Sequence, residues 1–383
     1  MIDLDRVPEV FAASTDGTVG LEEEFAVLDP RTLDLVPRFE ELRDLALADE
    51  TLSRAIAGEL ISSEIEIRSG RGDDLFDALA RQRDARRRLF ALAESRGVAL
   101  GATGTHPWAD YREQPNIDTE HYHRVVDGLR YVARRNNTFS LHVHVGVRDI
   151  ERAVRVCDRL RPVLPLLLAI SASSPFLEGR DTGLASVRSQ IFTKSFPRCG
   201  IPDAFGSWAA FRDYVDFLVR TNSIVEYTQV WWSIRPHFAF GTVEVRICDA
   251  QPTAVEAEAL AGLIVAAVLQ AARDEDERVP FADPPRRLVE ENFWRAIRFG
   301  LDGRLIDLDR AEEFPAAEAA DRLLAWTAPV RSELGIEPVF PEQNGTQRQR
   351  AMTEAGATLH EAYGAVVEET RRTYAPSTEV EAG

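Results

Sequence analysis

The sequence predicts an α+β protein, in which a mostly antiparallel sheet has helices packed on one side and is followed by a helical C-terminal portion. Runs of alternating apolar and polar residues, which are typical of strands, are confined to the first two thirds of the chain. From Thr253 onward the apolar residues follow a helical period, and no strand is predicted there. This segregation favours an α+β fold over alternating βαβ units.

Turn and capping residues define the first elements. After Gly17, the run TVGLEEEFAVL predicts a strand that closes at an Asp-Pro turn, and a helix is expected from about Glu40. The run AGELISSEIEIRS predicts a second strand. Asp73 is then expected to cap a long amphipathic helix that ends near Arg96.

The rest of the chain is assigned from the same periodicities. Further strands are predicted in VALGATGTHP, TFSLHVHVGV, VWWSIRPHF and TVEVRICDA. The segment 175–206 is dense in Gly, Pro, Ser and Arg, and we expect it to be a long loop. Helices are expected over about 118–134, over 151–172 after a cap at Asp149, and over about 207–220, 253–274, 284–300, 316–334 and 347–373.

Composition limits the function classes. The chain of 383 residues carries a net charge of −18, which argues against a nucleic-acid partner because phosphate binding draws on clustered cations. No run approaches the roughly 18 to 20 apolar residues that a membrane helix needs, and Val163–Ala172 is far too short, so no membrane association is expected. The three cysteines, Cys157, Cys199 and Cys248, are irregularly spaced with no signal peptide ahead of them, which favours a reduced cytoplasm.

We expect one large domain. Residues 1–16 are interpreted as an N-terminal segment, 17–374 as a single domain whose helical part begins at about residue 253, and 375–383 as a flexible tail.

Four strand-like runs place acidic, imidazole or guanidinium side chains two residues apart. Because residues i and i+2 of a strand share one face, each pair projects to one side of the sheet. If the strands are neighbours, that face concentrates charge, which divalent cations or strong hydrogen bonds must compensate. The alternatives are a solvated acidic face, histidines hydrogen-bonded in the core and an ordinary cross-strand ion pair. The pairs are Glu22 with Glu24, Glu64 with Glu66, His142 with His144, and Glu244 with Arg246.

The ligand types favour Mg²⁺, with Mn²⁺ as an alternative, over zinc, because carboxylates dominate and no cysteine cluster accompanies the histidines. The sequence has no GxxxxGK[ST], GxGxxG or GxSxG motif, so a bound nucleotide would depend on metals and arginines. The segment 175–206 is a candidate anion-binding loop through Arg188, Lys194 and Arg198. Its alternative is a solvated surface excursion.

Several separated motifs together resemble one family. GLEEEF followed by LDP, ELISSEIEIRS, THP, LHVHVGV, FPRCGIPDAFGSWAAF, WWSIRPHFAFGTVEVRICD and WRAIRFGLDGRLID occur in that order. They closely resemble the carboxylate-amine ligases of the glutamate-cysteine ligase type 2 family, over about residues 17–370.

The resemblance implies a glutamine synthetase-like catalytic domain, whose curved antiparallel sheet holds Mg²⁺ and ATP against its concave face. It implies that Arg235 and Arg246 face phosphate or the substrate carboxylate. The metal ligands that it implies are Glu22, Glu24, Glu59, Glu64, Glu66, His142 and Glu244.

The activity that the resemblance implies is ATP-dependent ligation of L-glutamate to L-cysteine through a γ-glutamyl phosphate. Three alternatives stay open at this point: the same chemistry with another amine, a catalytically silent nucleotide-binding relative, and a metal-dependent phosphate-ester hydrolase. We also expect a cytoplasmic homodimer, since sheets of this kind often lie at subunit boundaries.

Overall fold

The computed structural model describes residues 3–375, so the predicted tail beyond residue 375 lies outside the described residues. The strands are β1 Val19–Leu28, β2 Ile56–Ala57, β3 Glu64–Arg68, β4 Ala99–Gly101, β5 Ser140–Gly146, β6 Phe176–Leu177, β7 Arg180–Asp181, β8 Cys199–Gly200, β9 Trp231–Trp232, β10 Ile234–His237, β11 Thr242–Asp249, β12 Arg304–Asp307 and β13 Glu312–Pro315. The helices are α1 Val7–Ala12, α2 Phe39–Ala46, α3 Leu52–Ala55, α4 Leu75–Ser95, α5 Glu120–Leu129, α6 Tyr131–Arg134, α7 Ile150–Leu160, α8 Leu164–Ser171, α9 Val187–Ser195, α10 Trp208–Arg220, α11 Ala254–Asp276, α12 Arg286–Phe299, α13 Ala316–Leu334, α14 Gly345–Glu354 and α15 Leu359–Tyr374.

One antiparallel sheet organises the molecule, in the strand order β10-β11-β5-β1-β3-β2. The long strand β1 is central: its first half pairs with β5, its last residues pair with β4, and β3 lies along its other edge. In this register Glu22 lies opposite His142 and Glu24 lies opposite Glu66. The predicted same-face pairs therefore become neighbours across strands.

The other face of the sheet is the main core. Odd-numbered residues of β1, such as Leu21 and Phe25, are buried with Ile65, Ile67 and Val143 of the adjacent strands. Helices α4, α7 and α11 contact the sheet. The alternation of burial and charge along these strands follows the two-residue period that the sequence shows. The predicted α+β class with an antiparallel sheet and a helical C-terminal portion is confirmed.

Two helices of the structure differ from their predictions in where they begin or end. Asp74, not Asp73, caps α4, because its side chain accepts a hydrogen bond from the amide of Asp77. The helix predicted over 151–172 is two helices, α7 and α8. Pro162 interrupts it because proline has no amide hydrogen for the helical hydrogen bond. The predicted cap at Asp149 is confirmed, with the carboxylate accepting from two amides of the first turn.

The prediction that 175–206 is a long loop is wrong. The segment contains β6, β7, β8 and the helix α9. Ser186 caps α9 by accepting a hydrogen bond from the amide of Ser189. The Gly, Pro and Ser content that suggested a loop instead serves the turns and the cap between short elements.

The prediction of a strand-free C-terminal third is also wrong, because β12 and β13 form an antiparallel hairpin there. The single helix predicted over 347–373 is divided into α14 and α15. Gly356 has φ +103° just after α14, a conformation that favours glycine. Thr358 then starts α15 with a capping box to Glu361.

The longest apolar helix is α11 rather than the run Val163–Ala172. Within residues 3–375, α11 is the one helix whose length and composition suit a membrane span, with a mean hydropathy of 1.7. The same stretch is 83% buried inside the molecule, where it packs against α7, α13 and the sheet. In this structure it serves as a core helix.

Candidate active site

A cavity of about 480 Å³ lies on the face of the sheet that carries the even-numbered residues of β1. Four of its six carboxylates lie on β1, β3 and the segment before β3, which we call the acidic end. Three of its four arginines lie on α9, β10 and β11, which we call the arginine end. Its wall also includes aromatic and polar side chains from α5, α9 and the segment before β9. The charged and imidazole residues that line it are Glu22, Glu24, Glu59, Glu64, Arg68, His142, Arg188, Glu226, Arg235, His237, Glu244 and Arg246.

Three overlapping triads of potential metal ligands lie at the acidic end. In each triad one ligand atom per residue lies within 4.8 Å of the others. Glu22 belongs to two triads and Glu66 to two, so the three form one continuous cluster. The triads are Glu22 with Glu66 and His142, Glu22 with His144 and Glu244, and Glu24 with Glu59 and Glu66.

The cluster leaves carboxylate oxygens without partners. The Oε2 atoms of Glu64 and Glu66 are buried and accept no hydrogen bond from the described part of the chain. A buried carboxylate oxygen without a partner is costly, and a cation relieves that cost. Carboxylate-rich sets of this kind suit Mg²⁺, which prefers oxygen ligands. The residues present therefore fit a divalent cation, with Glu64 adjacent to the triads.

Electrostatics give the same picture. Burial, followed by the charge of Glu59, raises the pKa of Glu24 to about 7. Burial together with the neighbouring carboxylates raises the pKa values of Glu64 and Glu66 well above their usual range. Burial also raises the pKa of Glu59. Without a counter-charge these four groups resist simultaneous ionisation, so a divalent cation must displace protons when it binds.

The pKa values of Glu22 and His142, in the middle of the sheet, shift in the opposite direction. Burial opposes ionisation of Glu22, but His144 and His142 hold the pKa of its carboxyl well below its usual range. Burial, reinforced by Arg246, lowers the pKa of His142 to about 4. The His142 Nδ1 atom lies 3.0 Å from Glu22 Oε2. An anionic Glu22 beside a neutral imidazole is a ligand pair ready for a metal.

Ser140 fixes Glu24. The amide and the hydroxyl of Ser140 donate hydrogen bonds of 2.5 and 2.6 Å to one carboxylate oxygen of Glu24. The other oxygen is left to face the acid cluster. Ser140 precedes His142 by two residues on β5, so the same i, i+2 rule would have found it, although a serine alone gives no signal.

Most of the hydrogen-bond donors of Arg235 are used by contacts within the protein. Its guanidinium forms two hydrogen bonds, of 2.6 and 3.2 Å, with the carboxylate of Glu244 and donates to the carbonyls of Thr228 and Val230. The side chain is 4% exposed. Its geometry is that of a residue that holds Glu244 in place, and little of its donor capacity remains for a ligand.

Arg246 and Arg188 keep free donors. Arg246 is paired with Glu244, yet its Nε has no hydrogen-bond partner in residues 3–375. Arg188 donates to the carbonyls of Ile247 and Arg246, and its Nε is likewise unpartnered within that range. Both guanidinium groups line the cavity. A buried arginine with an unused donor suits an anionic ligand such as phosphate or carboxylate.

A buried network positions Arg188. Asp249 lies 3.5 Å from the guanidinium of Arg188 and accepts hydrogen bonds from the hydroxyls of Ser174 and Ser186 and from the amide of Ser173. Ser186 also caps α9, the helix that carries Arg188. The network therefore fixes both the helix and its arginine against β11.

Behind the cluster, Glu23 faces the core as the strand period predicts. It forms two hydrogen bonds of 2.6 Å with Arg86 of α4 and accepts a third from Gln82. Arg86 is 1% exposed and also pairs with Glu258 of α11. The middle glutamate of GLEEEF is thus structural, whereas its two neighbours belong to the cavity.

Two of the candidate anion-binding residues do not reach the cavity. Lys194 lies on the exposed side of α9, where it pairs with Glu290 at 3.1 Å. Arg198 donates to the carbonyl of Gln229 and lies over the ring of Trp231. Neither side chain lines the cavity. Of the three candidate anion-binding residues, Arg188 is the one that lines the cavity.

Sequence reasoning left out some residues that the structure brings to the ligand triads or to the cavity wall. His144 was recognised beside His142 but was not included among the implied ligands; it lies 3.4 Å from Glu22 and 3.9 Å from Glu244. Tyr122 of α5 and Glu226 lie far from the strand motifs in sequence. No periodic signal distinguishes them, since they enter from helices and loops.

The fold and the site together define the class of protein. The structure matches that of a glutamate–cysteine ligase from Francisella tularensis in complex with AMP, with a TM-score of 0.69 at 11% identity, covering 95% of this chain and 90% of the other. It also matches a bifunctional glutathione synthetase from Pasteurella multocida, with a TM-score of 0.68 at 13% identity, covering 97% of this chain and 54% of the other. These likenesses show the fold, and the predicted glutamine synthetase-like class is confirmed.

Sequence comparison gives the family. The model of "Glutamate-cysteine ligase family 2 (GCS2)" matches residues 18–369. A Solibacter usitatus protein with the printed name "Putative glutamate--cysteine ligase 2" is 37% identical over 92% of this chain and 93% of its own length. A similarly named protein of Rubrobacter xylanophilus is 41% identical over 89% of this chain and 94% of its own. The chain belongs to glutamate-cysteine ligase family 2, as its motifs predicted.

Proposed function

We propose that the protein is an ATP-dependent carboxylate-amine ligase that joins the γ-carboxylate of L-glutamate to an amine, with L-cysteine as the first acceptor to test. The observation that carries the proposal is the division of one cavity into an acid cluster and an arginine end. The phosphate oxygens of a nucleoside triphosphate and the carboxylate oxygens of an amino acid are anionic and bind through cations. The acid cluster can hold such cations.

Mg²⁺ would be held by the acid cluster, with Mn²⁺ as the alternative. The ligands proposed are Glu22, Glu24, Glu59, Glu64, Glu66, His142 and Glu244, to which the triads add His144. Bound cations would supply charge neutralisation for the phosphoryl group that is transferred. Binding and orientation of the substrates would depend on the side chains of the protein.

The arginine end would hold the anionic groups in line. The side chain of Arg246 is 13% exposed, its buried Nε has no hydrogen-bond partner among the described residues, and Arg188 approaches from α9. Arg235 acts through Glu244, which it clamps from the side away from the acid cluster. The planar fork of arginine suits phosphate and carboxylate oxygens.

The reaction proposed has two steps. In the first, a γ-carboxylate oxygen of glutamate bonds to the terminal phosphorus of ATP, and the bond from that phosphorus to the β,γ-bridging oxygen breaks to release ADP. In the second, the amine nitrogen bonds to the carbonyl carbon of the γ-glutamyl phosphate, the bond from that carbon to the phosphate oxygen breaks, and the amine proton leaves with phosphate or solvent. Positioning and electrostatics suffice for both steps, so no covalent enzyme nucleophile is needed.

We further propose a single catalytic domain over 17–374, a homodimer and a cytoplasmic location, with no nucleic-acid or membrane partner. The buried, unpaired cysteines Cys157, Cys199 and Cys248 support a reducing compartment. Sedimentation velocity tests the oligomeric state: a boundary at twice the 42.8 kDa chain mass supports a dimer, and a monomer boundary at micromolar protein contradicts it.

The test of function is ADP release with Mg²⁺-ATP and L-glutamate, with and without L-cysteine, followed by mass analysis of the products. Release that needs both amino acids and yields γ-glutamylcysteine supports the proposal in full. Glutamate-dependent release with another amine keeps the ligase class and changes the acceptor. Phosphate release from ATP without any amino acid favours the hydrolase alternative, and no use of ATP favours a silent nucleotide-binding relative.

A further inference from the structure

Strand β11 contains an irregularity in its pairing with β5. Glu244 lies opposite His144 and Asp249 lies opposite Ser140, so β11 takes five steps along the chain where β5 takes four. The additional residue is a β-bulge, and beyond it the alternation of the two faces is reversed. Residues five apart on a regular strand lie on opposite faces, but the bulge brings Asp249 to the face of the sheet that carries Glu244.

Arg188 of α9 makes its hydrogen bonds with the bulge. Its Nη1 donates a hydrogen bond of 3.0 Å to the carbonyl of Ile247, and its Nη2 donates one of 3.2 Å to the carbonyl of Arg246. These two residues are the ones that the shifted register leaves out of the pairing with β5. A buried carbonyl without a strand partner needs another donor, and the guanidinium of Arg188 supplies it here.

Asp249 supplies a negative charge to the same guanidinium. Its Oδ1 lies 3.5 Å from Nη1 of Arg188, and both side chains are buried. The carboxylate is itself held by the hydroxyl of Ser174 at 2.7 Å, the hydroxyl of Ser186 at 2.9 Å and the amide of Ser173 at 3.0 Å. Carbonyl groups alone would leave the buried guanidinium without a counter-charge, and Asp249 provides one.

The surrounding backbone encloses this carboxylate. A Cβ atom at Gly104 would lie 2.6 Å from Cγ and 2.7 Å from Oδ2 of Asp249, which is closer than Cβ atoms approach in proteins. Glycine at this position therefore permits the chain to pack directly on the carboxylate. Asp249 does not line the cavity, whereas Arg188 does. Any effect of Asp249 on a bound substrate would therefore pass through Arg188.

We infer that Asp249 and the bulge of β11 position Arg188 to bind an anionic group of a substrate. The inference rests on the proposed ligase function, in which Arg188 holds such a group. Without the charge of Asp249, the guanidinium would turn towards the carboxylates of the acid cluster. Glu24 is within its influence, because burial raises the pKa of Glu24 and the charge of Arg188 is among those that oppose the rise.

Steady-state kinetics with hydroxylamine as the amine test the inference, because hydroxamate formation reports activation of glutamate whatever the natural acceptor is. KM is measured for Mg²⁺-ATP and for L-glutamate. Arg188→Lys keeps the charge and loses the planar fork, so it should raise one of the two KM values about tenfold. Asp249→Asn should raise the same KM about fivefold and change the other less than twofold.

The double variant of Arg188→Lys and Asp249→Asn separates positioning from general damage. If Asp249 acts through Arg188, the double variant should have the affected KM within twofold of that of Arg188→Lys alone. Independent effects of about tenfold and about fivefold would instead multiply to about fiftyfold. A loss of stability alone would not produce this dependence of one substitution on the other.

Asp158→Asn is the matched control. Asp158 is another buried aspartate that accepts hydrogen bonds from backbone amides, and it does not line the cavity. Its substitution should leave both KM values within twofold of wild type, and thermal melts of each variant establish that it is folded. Ser174→Ala tests the network more mildly if Asp249→Asn does not fold, since Ser174 donates to Asp249 and accepts from the amide of Arg188. It should raise the same KM about threefold.

Three results would overturn the inference. They are multiplying effects in the double variant, a rise in different KM values for Arg188→Lys and Asp249→Asn, and KM values that stay at the wild-type level in either single variant. If Asp249→Asn does not fold, wild-type KM values in Ser174→Ala have the same meaning. Absence of both hydroxamate and ADP with the wild-type enzyme overturns the proposed function itself.

Discussion

Replacing Glu24 by glutamine separates metal binding from folding. Glu24→Gln removes one charge from the acid cluster while its amide oxygen can still accept the two hydrogen bonds from Ser140. The variant is expected to be more stable than wild type without metal, to lose its stabilisation by Mg²⁺ and to lose turnover. Each effect has the same cause, which is the loss of a carboxylate charge.

The magnitude follows from the pKa of Glu24, which burial and Glu59 raise from the ordinary value of 4.5 to about 7. A raised pKa means that the folded state binds the proton more tightly. The resulting stability is fully present below the unfolded pKa and is lost as the pH rises through 7. One pKa unit corresponds to about 1.4 kcal/mol, so ionised Glu24 costs the fold about 3 kcal/mol at pH 8.

The assay is thermal unfolding at pH 8 in EDTA and again in millimolar Mg²⁺. Removing a cost of about 3 kcal/mol should raise the melting temperature by several degrees, given roughly 2–4 °C per kcal/mol for a large domain. Wild-type protein should gain stability on adding Mg²⁺, because a ligand that binds the folded state stabilises it. Glu24→Gln should gain little.

The matched control is Glu23→Gln, the same substitution one residue earlier. Glu23 faces the core and pairs with the buried Arg86, so the variant leaves a buried guanidinium partly uncompensated. It should lower the melting temperature and keep the Mg²⁺ response. A metal-free Glu24→Gln that melts below wild type, or one that keeps the full Mg²⁺ shift, would refute the assignment of Glu24 to the metal cluster.

The remaining predictions concern pH, arginine geometry and the residues left outside the cavity. Because burial and the neighbouring acids raise the pKa values of Glu64 and Glu66 as well, the metal-free protein should melt at progressively lower temperature from about pH 5 to pH 8, and saturating Mg²⁺ should flatten that profile. A flat profile in EDTA would contradict the electrostatic reading of the cluster. Arg246→Lys should lower kcat by roughly 10²-fold or more, since a lysine cannot reproduce the fork beside Glu244; near-normal kcat would show that Arg246 does not face the reacting groups. Lys194→Ala should change KM for ATP less than twofold in steady-state kinetics, because Lys194 is exposed and paired with Glu290, and a large increase would place it at the nucleotide after all.

The sequence predicts the sheet and its charged face well because strand periodicity is a local property. Glu22 shares a face of its strand with Glu24, and Glu64 shares one with Glu66, whatever the neighbouring strands are. The pairing of β1 with β3 and β5, which brings these residues and His142 to one face of the sheet, could not be read from the spacing. The opposite orientation of the middle residue of GLEEEF follows from the same rule.

What the sequence did not predict depends on tertiary packing. The anion-binding role suggested for Lys194 and Arg198 assumed a long loop. Of the three basic residues proposed there, α9 and its cap bring only Arg188 to the cavity wall. The hairpin β12–β13 has short strands with exposed charged residues, which give no clear alternation. The saturation of Arg235 by Glu244 depends on cross-strand register, which no spacing reveals.

The proposed enzyme activates the γ-carboxylate of glutamate by transferring the terminal phosphoryl group of ATP to it. Incubating the enzyme with Mg²⁺-ATP, an amine and L-glutamate labelled with ¹⁸O in the γ-carboxylate tests this directly, with mass analysis of the phosphate released. One ¹⁸O atom is expected in each phosphate formed, because the carboxylate oxygen leaves with the phosphoryl group. Phosphate without label, formed while ATP is consumed, would contradict it.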